Sequence, residues 1–307
     1  MIAAAEMAFD GLSCQGCGAQ LNVAKGERTA KCPYCASPSV VMRPRSGTED
    51  PTFVLGFVIP EEDARERARK WIRSTWFTPS AFLKSDVTQV RGVYLPAYVY
   101  TAAAHVDYSA SIGENYTVTE TYTTTNSKGQ TVTRTRTRTK TEWRSLSGKW
   151  AAYLDDEVVT ASKGLHNAEL EAVEPFDLRA LRRYTPKLLS GWIAEDPSRG
   201  RTECLKMAHD EAVGQIGTRL AAHMPGDSHR SLEYETKVVH EHLELVLLPV
   251  WILAVRYDEE APLVRMVLNG QTGRITGRPP RSWLKITITV LSVITALVVA
   301  YLIASMR

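Results

Sequence analysis

Several strings that would mark an enzyme are missing from this 307-residue chain. There is no GxxxxGK[ST] string, hence no backbone loop to cradle phosphates with a Lys behind it, and ATP-driven unwinding is excluded. GxSxG and HExxH are absent too, which removes the strained nucleophile elbow and the two-histidine zinc helix. The seven histidines are dispersed except His240 and His242. Their HEH spacing would place both on one face of a strand, without a third ligand, so half-exposed strand histidines are the simpler reading. The pairs Asp155-Asp156 and Glu259-Glu260 read as solvated turns rather than catalytic dyads. Neither an enzyme activity nor a small-molecule substrate is expected.

The balance of charge is close to even, with 37 Lys and Arg against 34 Asp and Glu. A formal net charge of +3 is too small for a dedicated nucleic-acid binder, so any basic function must be local. The opening MIAAAEMAFDGLSC has no basic n-region and no long apolar core, and the body is expected to stay in the cytoplasm. Cysteine is sparse and clustered. Of five, four fall in one short N-terminal stretch, which argues against a disulfide framework and for a reducing compartment.

That stretch, CQGCGAQLNVAKGERTAKCPYC, sets Cys14 and Cys17 two residues apart and Cys32 and Cys35 likewise, with fourteen residues between the pairs. Each pair forms a knuckle whose thiolates face one side, and the intervening residues suffice for a short hairpin. Four thiolates suit one closed, tetrahedral, structural Zn2+; a rubredoxin-like iron site has similar spacing. Gly16 and Gly18 permit the knuckle turns, and Pro33 stiffens the second. Cys204 lies at helical spacing with Leu205, Ala208, Ala212, Ile216 and Leu220 and reads as a small core residue.

At the other end, Ile286 to Met306 is 21 residues without a charge, long enough for the ~30 Å hydrocarbon layer. Its threonines and serines can bond back to the helix's own carbonyls. Arg274, Arg278, Arg281 and Lys285 precede the span and only Arg307 follows it, so the positive-inside rule keeps the N-terminal part cytoplasmic, with Trp283 at headgroup level. A tail anchor in the cytoplasmic membrane is expected.

Between these ends the pattern reads as α+β, built on antiparallel sheet. FVLGFVIP (53–60) reads as a strand, EEDARERARKWIRSTW as a solvated helix, and VRGVYLPAYVYTAAAHVDYSA as a strand pair. After the linker-like MRPRSGTEDP, VYLPAYVYTAAAHVDY resembles the later LLPVWILAVRYDEEAPLVRMVL, as a duplicated β unit would. The expected domains are a zinc ribbon (1–45), an α+β body (46–280) and a transmembrane tail (281–307).

The segment TVTRTRTRTKTEWR alternates threonine with basic residues, and NYTVTETYTTT before it also alternates. With NSKG between them they read as a hairpin arm over residues 115–144, Gly129 taking the positive-φ turn position. Counting outward sets Tyr122 opposite Arg134, Glu120 opposite Arg136, Val118 opposite Arg138 and Tyr116 opposite Lys140, with a threonine ladder behind. Neither face is apolar, so the arm must project or lie on a surface that accepts cations. A solvated edge that deters aggregation is one reading. Engagement of an anion by Arg134, Arg136, Arg138 and Lys140 is the other: lipid headgroups, an acidic protein or nucleic acid.

The CxxCG and CPYC knuckles, YLPAY and LLPVW, the Thr-rich hairpin ending in Trp, EPFDL, SGW and NGQTGRITGRPP before an apolar span together resemble a family of bacterial zinc-ribbon membrane proteins. Its members often carry the label primosomal replication factor Y or helicase. Similar proteins occur beside flotillin-like or phage-shock-like membrane-stress proteins, and the resemblance implies recruitment of such partners to the membrane. The expected function is therefore a membrane adaptor or scaffold; the alternative is a membrane-tethered nucleic-acid binder without helicase activity.

Overall fold

In a computed structural model of the chain, the structure describes residues 9–24, 32–35, 40–43, 49–125, 129–189, 191–259, 261 and 263–305. The elements are β1 (Phe9–Cys14), β2 (Gln20–Ala24), β3 (Val40–Arg43), β4 (Phe53–Val54), α1 (Glu61–Ser74), α2 (Ser80–Lys84), β5 (Gln89–Thr125) and β6 (Thr131–Thr160). They continue as α3 (Asn167–Glu171), β7 (Arg182–Arg183), β8 (Ile193–Asp196), α4 (Arg201–His223), β9 (Ser228–Val255), β10 (Val264–Asn269), β11 (Ile275–Gly277) and α5 (Trp283–Ser305). The strands join one mixed sheet in the order β11-β10-β9-β5-β8-β2-β1-β3, with β6 on β5 and β4 beside β7 and β9. Most pairings with a defined register are antiparallel, but β4 on β9 and β5 on β8 are parallel.

By compactness the chain divides into two units. One holds residues 1–99, 158–204 and 244–307, the other 100–157 and 205–243. In the first, Leu12, Leu21, Leu55, Val93, Leu95, Val246, Leu248 and Val267 form the main core together with Cys14, Cys32 and Tyr34. A second cluster gathers Ala64, Ala68 and Ile72 of α1 with Phe82, Trp251 and Leu253. Those three α1 residues lie four apart, one helical stripe, so α1 is half-embedded rather than solvated all round. Its outer face carries the i,i+4 pairs Glu61–Arg65 and Glu66–Lys70.

Strand lengths depart most from expectation. The segment read as a strand pair is one continuous strand with the first arm strand, β5, of 37 residues, and β6 has 30, where ordinary strands have about 3–10. Asp155, read as part of a turn, lies in β6 instead. The strand expected over 53–60 shrinks to the two residues of β4. The two Leu-Pro steps are placed alike. Pro96 of β5 and Pro249 of β9 have no N–H to give a neighbour, and their carbonyls accept from Ala161 N at 3.0 Å and Gly270 N at 2.8 Å.

Helix α4 contains the residues set at helical spacing, and Cys204, Ala208, Ala212, Ile216 and Leu220 are all fully buried. Helix α5 contains no buried residue and is long and apolar enough to cross a membrane, about 35 Å at 1.5 Å per residue. Four hydroxyls along it bond back to carbonyls a turn earlier: Thr289 to Lys285, Ser292 to Thr289, Thr295 to Leu291 and Ser305 to Leu302, at 2.8–2.9 Å. They are satisfied without water, as an apolar surrounding demands.

Candidate metal centre

The first knuckle is shaped by the end of β1 and the start of β2. Cys14 N donates to Ala19 O and Gly18 N to Cys14 O, both at 2.9 Å, and Gly18 takes φ +77°, a conformation that side chains disfavour. The second knuckle, Cys32 to Cys35, faces it; residues 25–31 between them lie outside the described set. All four sulfurs fall within 4.8 Å of one another, with Cys14 and Cys35 Sγ 3.5 Å apart and Cys17 and Cys32 Sγ 3.7 Å apart. A tetrahedron with 2.3 Å metal–sulfur bonds has edges of about 3.8 Å, so a four-thiolate metal ion fits this set. The crowding also shows that the cluster needs a cation if all four are to ionise. Hydrogen bonding from Cys17 lowers Cys32 to about 5, and the same contact, with burial, pushes Cys17 up. Among the described residues this is the one group of three or more His, Cys, Asp or Glu side chains close enough to share an ion.

Cys14 and Cys32 are each 1% exposed and pack in the main core, so the site is held from below. β2 pairs with β8 through Gln20↔Asp196, Leu21↔Glu195 and Asn22↔Ala194. The second knuckle is clamped by Arg265 of β10. Its Nη1 donates to Tyr34 O at 3.3 Å and Gly164 O at 2.8 Å, and its Nη2 meets both Glu169 oxygens at 2.6–2.7 Å. Burial raises the Glu169 carboxyl, but the Arg265 bonds outweigh it and hold the group below its usual range. Gly164 lies so close to the Tyr34 ring that a Cβ there would stand 2.9 Å from Cδ2.

Glu195 is buried beside this clamp, with Ser162 Oγ donating to its Oε1 at 2.6 Å. Burial pushes its carboxyl up to about 7, against the lowering effect of Ser162. Its Oε2 and the Tyr34 hydroxyl are buried as well, and the two groups act on each other: Tyr34 lowers the Glu195 carboxyl, and burial together with Glu195 raises the Tyr34 hydroxyl. No sequence pattern pointed to Glu195, because its burial follows from the β2–β8 pairing.

The basic residues named from the sequence lie on β6, paired with β5; residues 126–128 of the connection are outside the described set. Gly129 has φ +76°. Glu120 meets Arg136 at 3.1 Å, Arg138 at 3.7 Å and Lys140 at 3.5 Å. Arg136 sits over the Tyr122 ring at 5.4 Å, and Thr141 Oγ1 donates to Asn115 Oδ1 at 2.7 Å. The Arg136 hydrogen bond lowers the Glu120 pKa. Arg134, Arg136, Arg138 and Lys140 are all exposed.

The HEH motif does not behave as a strand pair of ligands. His240 has φ +57°, which interrupts the alternation that would align it with His242. Between them, Glu241 Oε2 accepts from Tyr100 Oη and meets His209 Nδ1, each at 2.9 Å. This Tyr–Glu–His group joins β5, β9 and α4 across long sequence separations, so no local spacing announced it.

No family model matches the chain, and no solved structure matches it. It is similar to an uncharacterized protein, YdjG of Bacillus subtilis strain 168, 26% identical over 247 residues that cover 77% of this chain and 66% of that protein. The chain thus matches just under two thirds of that relative's length.

Proposed function

We propose that this chain is a membrane-anchored adaptor that presents its body at the cytoplasmic face and recruits protein partners there. The observation that carries this reading is α5, an apolar helix with no buried residue, preceded by Arg274, Arg278, Arg281 and Lys285. The metal is one Zn2+, held by Cys14, Cys17, Cys32 and Cys35. A closed set of four thiolates leaves no position for water or substrate, so the ion folds the protein and does no chemistry. The outer parts of β5 and β6 act as a projecting hairpin arm. Its basic face meets an anionic surface, either headgroups or an acidic partner of the flotillin-like or phage-shock-like kind. Nucleic acid is the second reading, and the net charge of +3 weighs against it, since a dedicated nucleic-acid binder is strongly basic overall.

Removal of residues 283–307 is expected to release the protein from membranes, and a reporter at the N-terminus is expected to report a cytoplasmic location. A truncated chain that still pellets with membranes contradicts the anchor. Sub-micromolar, sequence-selective nucleic-acid binding at physiological salt, abolished by Gln at Arg134, Arg136, Arg138 and Lys140, contradicts the adaptor reading.

A further inference from the structure

The short connection between α1 and α2 inverts the usual arrangement of a surface loop. Its polar side chains turn inward: Thr78 is 2% exposed, Thr75 Oγ1 donates to Ile72 O at 2.7 Å, and Thr78 Oγ1 donates to Thr75 O at 2.9 Å. Its aromatic side chains turn outward, with Trp76 80% exposed and Phe77 43%. Phe82 of α2 is fully buried just beyond, so the loop is pinned by its own hydroxyls and by the core while it displays two large apolar rings. A single exposed ring would need no explanation; two adjacent rings held out by a satisfied loop do.

The position of this loop identifies what covers it. Ser282 N donates to Phe77 O at 2.7 Å, which ties the loop's backbone to the residue immediately before α5. Trp76 and Trp283 are therefore each one Cα step, about 3.8 Å, from a hydrogen-bonded pair. Trp283 and Leu284 are themselves 73% and 72% exposed. Exposed Arg73 and Arg281 flank the patch. Amphipathic indole rings beside the end of an apolar helix, with guanidinium groups nearby, match the chemistry of the headgroup–acyl boundary.

We propose that Trp76 and Phe77 form a second membrane contact, a loop that enters the lipid interface beside α5 and fixes the tilt of the attached unit against the bilayer. This rests on α5 being a membrane anchor. With one span alone the unit could swivel about residues 278–282; a second contact point removes that freedom.

The full chain, reconstituted in phosphatidylcholine–phosphatidylglycerol bilayers, can be tested with lipids brominated on the acyl chain near the headgroup, which quench tryptophan at the interface. Trp76→Phe and Trp283→Phe are each expected to remove about half of the bromine-quenchable emission, since these are the two most exposed of the seven tryptophans. If Trp283→Phe lowers the quenchable emission and Trp76→Phe leaves it unchanged, the second contact is wrong while the anchor stands. If neither variant changes it, the anchor fails and the second contact with it.

Discussion

The cysteine knuckles and the outer parts of β5 and β6 are both short of aliphatic residues, yet they are stabilised in opposite ways. The knuckles lie on the main core, with Cys14 and Cys32 nearly inaccessible, Arg265 clamping the second turn, and four sulfurs within 4.8 Å of one another, a set that one metal ion would fit. The outer strands have both faces exposed and rely on backbone pairing and on side-chain contacts such as Glu120 with Arg136. Burial makes the first region a determinant of stability. Exposure leaves the second with little buried area to lose, and the two should respond differently to the same kind of substitution.

The largest effect is expected at the ligands. Cys14→Ser should release the metal and unfold the first unit. Apparent zinc-binding energies of about 10–16 kcal/mol match or exceed the whole stability of a domain, about 5–15 kcal/mol. Metal content by elemental analysis together with thermal unfolding checks this, and Cys204→Ser should leave the metal in place.

A smaller loss is expected where the knuckle meets its support. Gly164→Ala puts a Cβ against the Tyr34 ring and Ala19, and should cost about 1–3 kcal/mol by overpacking while metal content stays at one equivalent. Denaturant unfolding monitored by circular dichroism measures it.

Knuckle spacing, helix α4 and the apolar tail were legible because each is a local period or spacing. The clamp and the buried carboxyl were not. Arg265 reaches Tyr34 across 231 residues, and Glu195 is buried by pairing with Leu21, so both depend on topology that no window of sequence contains. Strand length was missed for a related reason. β5 passes from the fully buried run Val93–Tyr98 to a mostly exposed end, and the change of composition looked like a boundary although the backbone continues. At His240, within β9, the backbone takes φ +57°, a local departure that no residue pattern announced.

The carboxyl of Glu195 supplies a pH test of the same region. Its pKa rises from 4.5 to about 7 on folding, so the folded chain keeps a proton that the unfolded chain releases. Stability from this group is present below about pH 4.5 and is lost as pH rises through 7, by on the order of 3 kcal/mol. Glu195→Gln should flatten that dependence and be the more stable form at pH 8, as urea midpoints across pH 5–8 would show.

The smallest effect on folding is expected in the outer strands. Gln at Arg134, Arg136, Arg138 and Lys140 should move the thermal midpoint by no more than about 2 °C and leave the metal bound. Binding to anionic vesicles should fall, and raising salt should reproduce the loss in the parent. A large drop in midpoint would erase the contrast between the two regions.

Protease protection in sealed membrane vesicles of both orientations tests the account most directly. With the body at the cytoplasmic face and α5 in the bilayer, inside-out vesicles should lose the body to added protease while right-side-out vesicles protect it. Digestion in right-side-out vesicles with protection in inside-out ones would contradict the account.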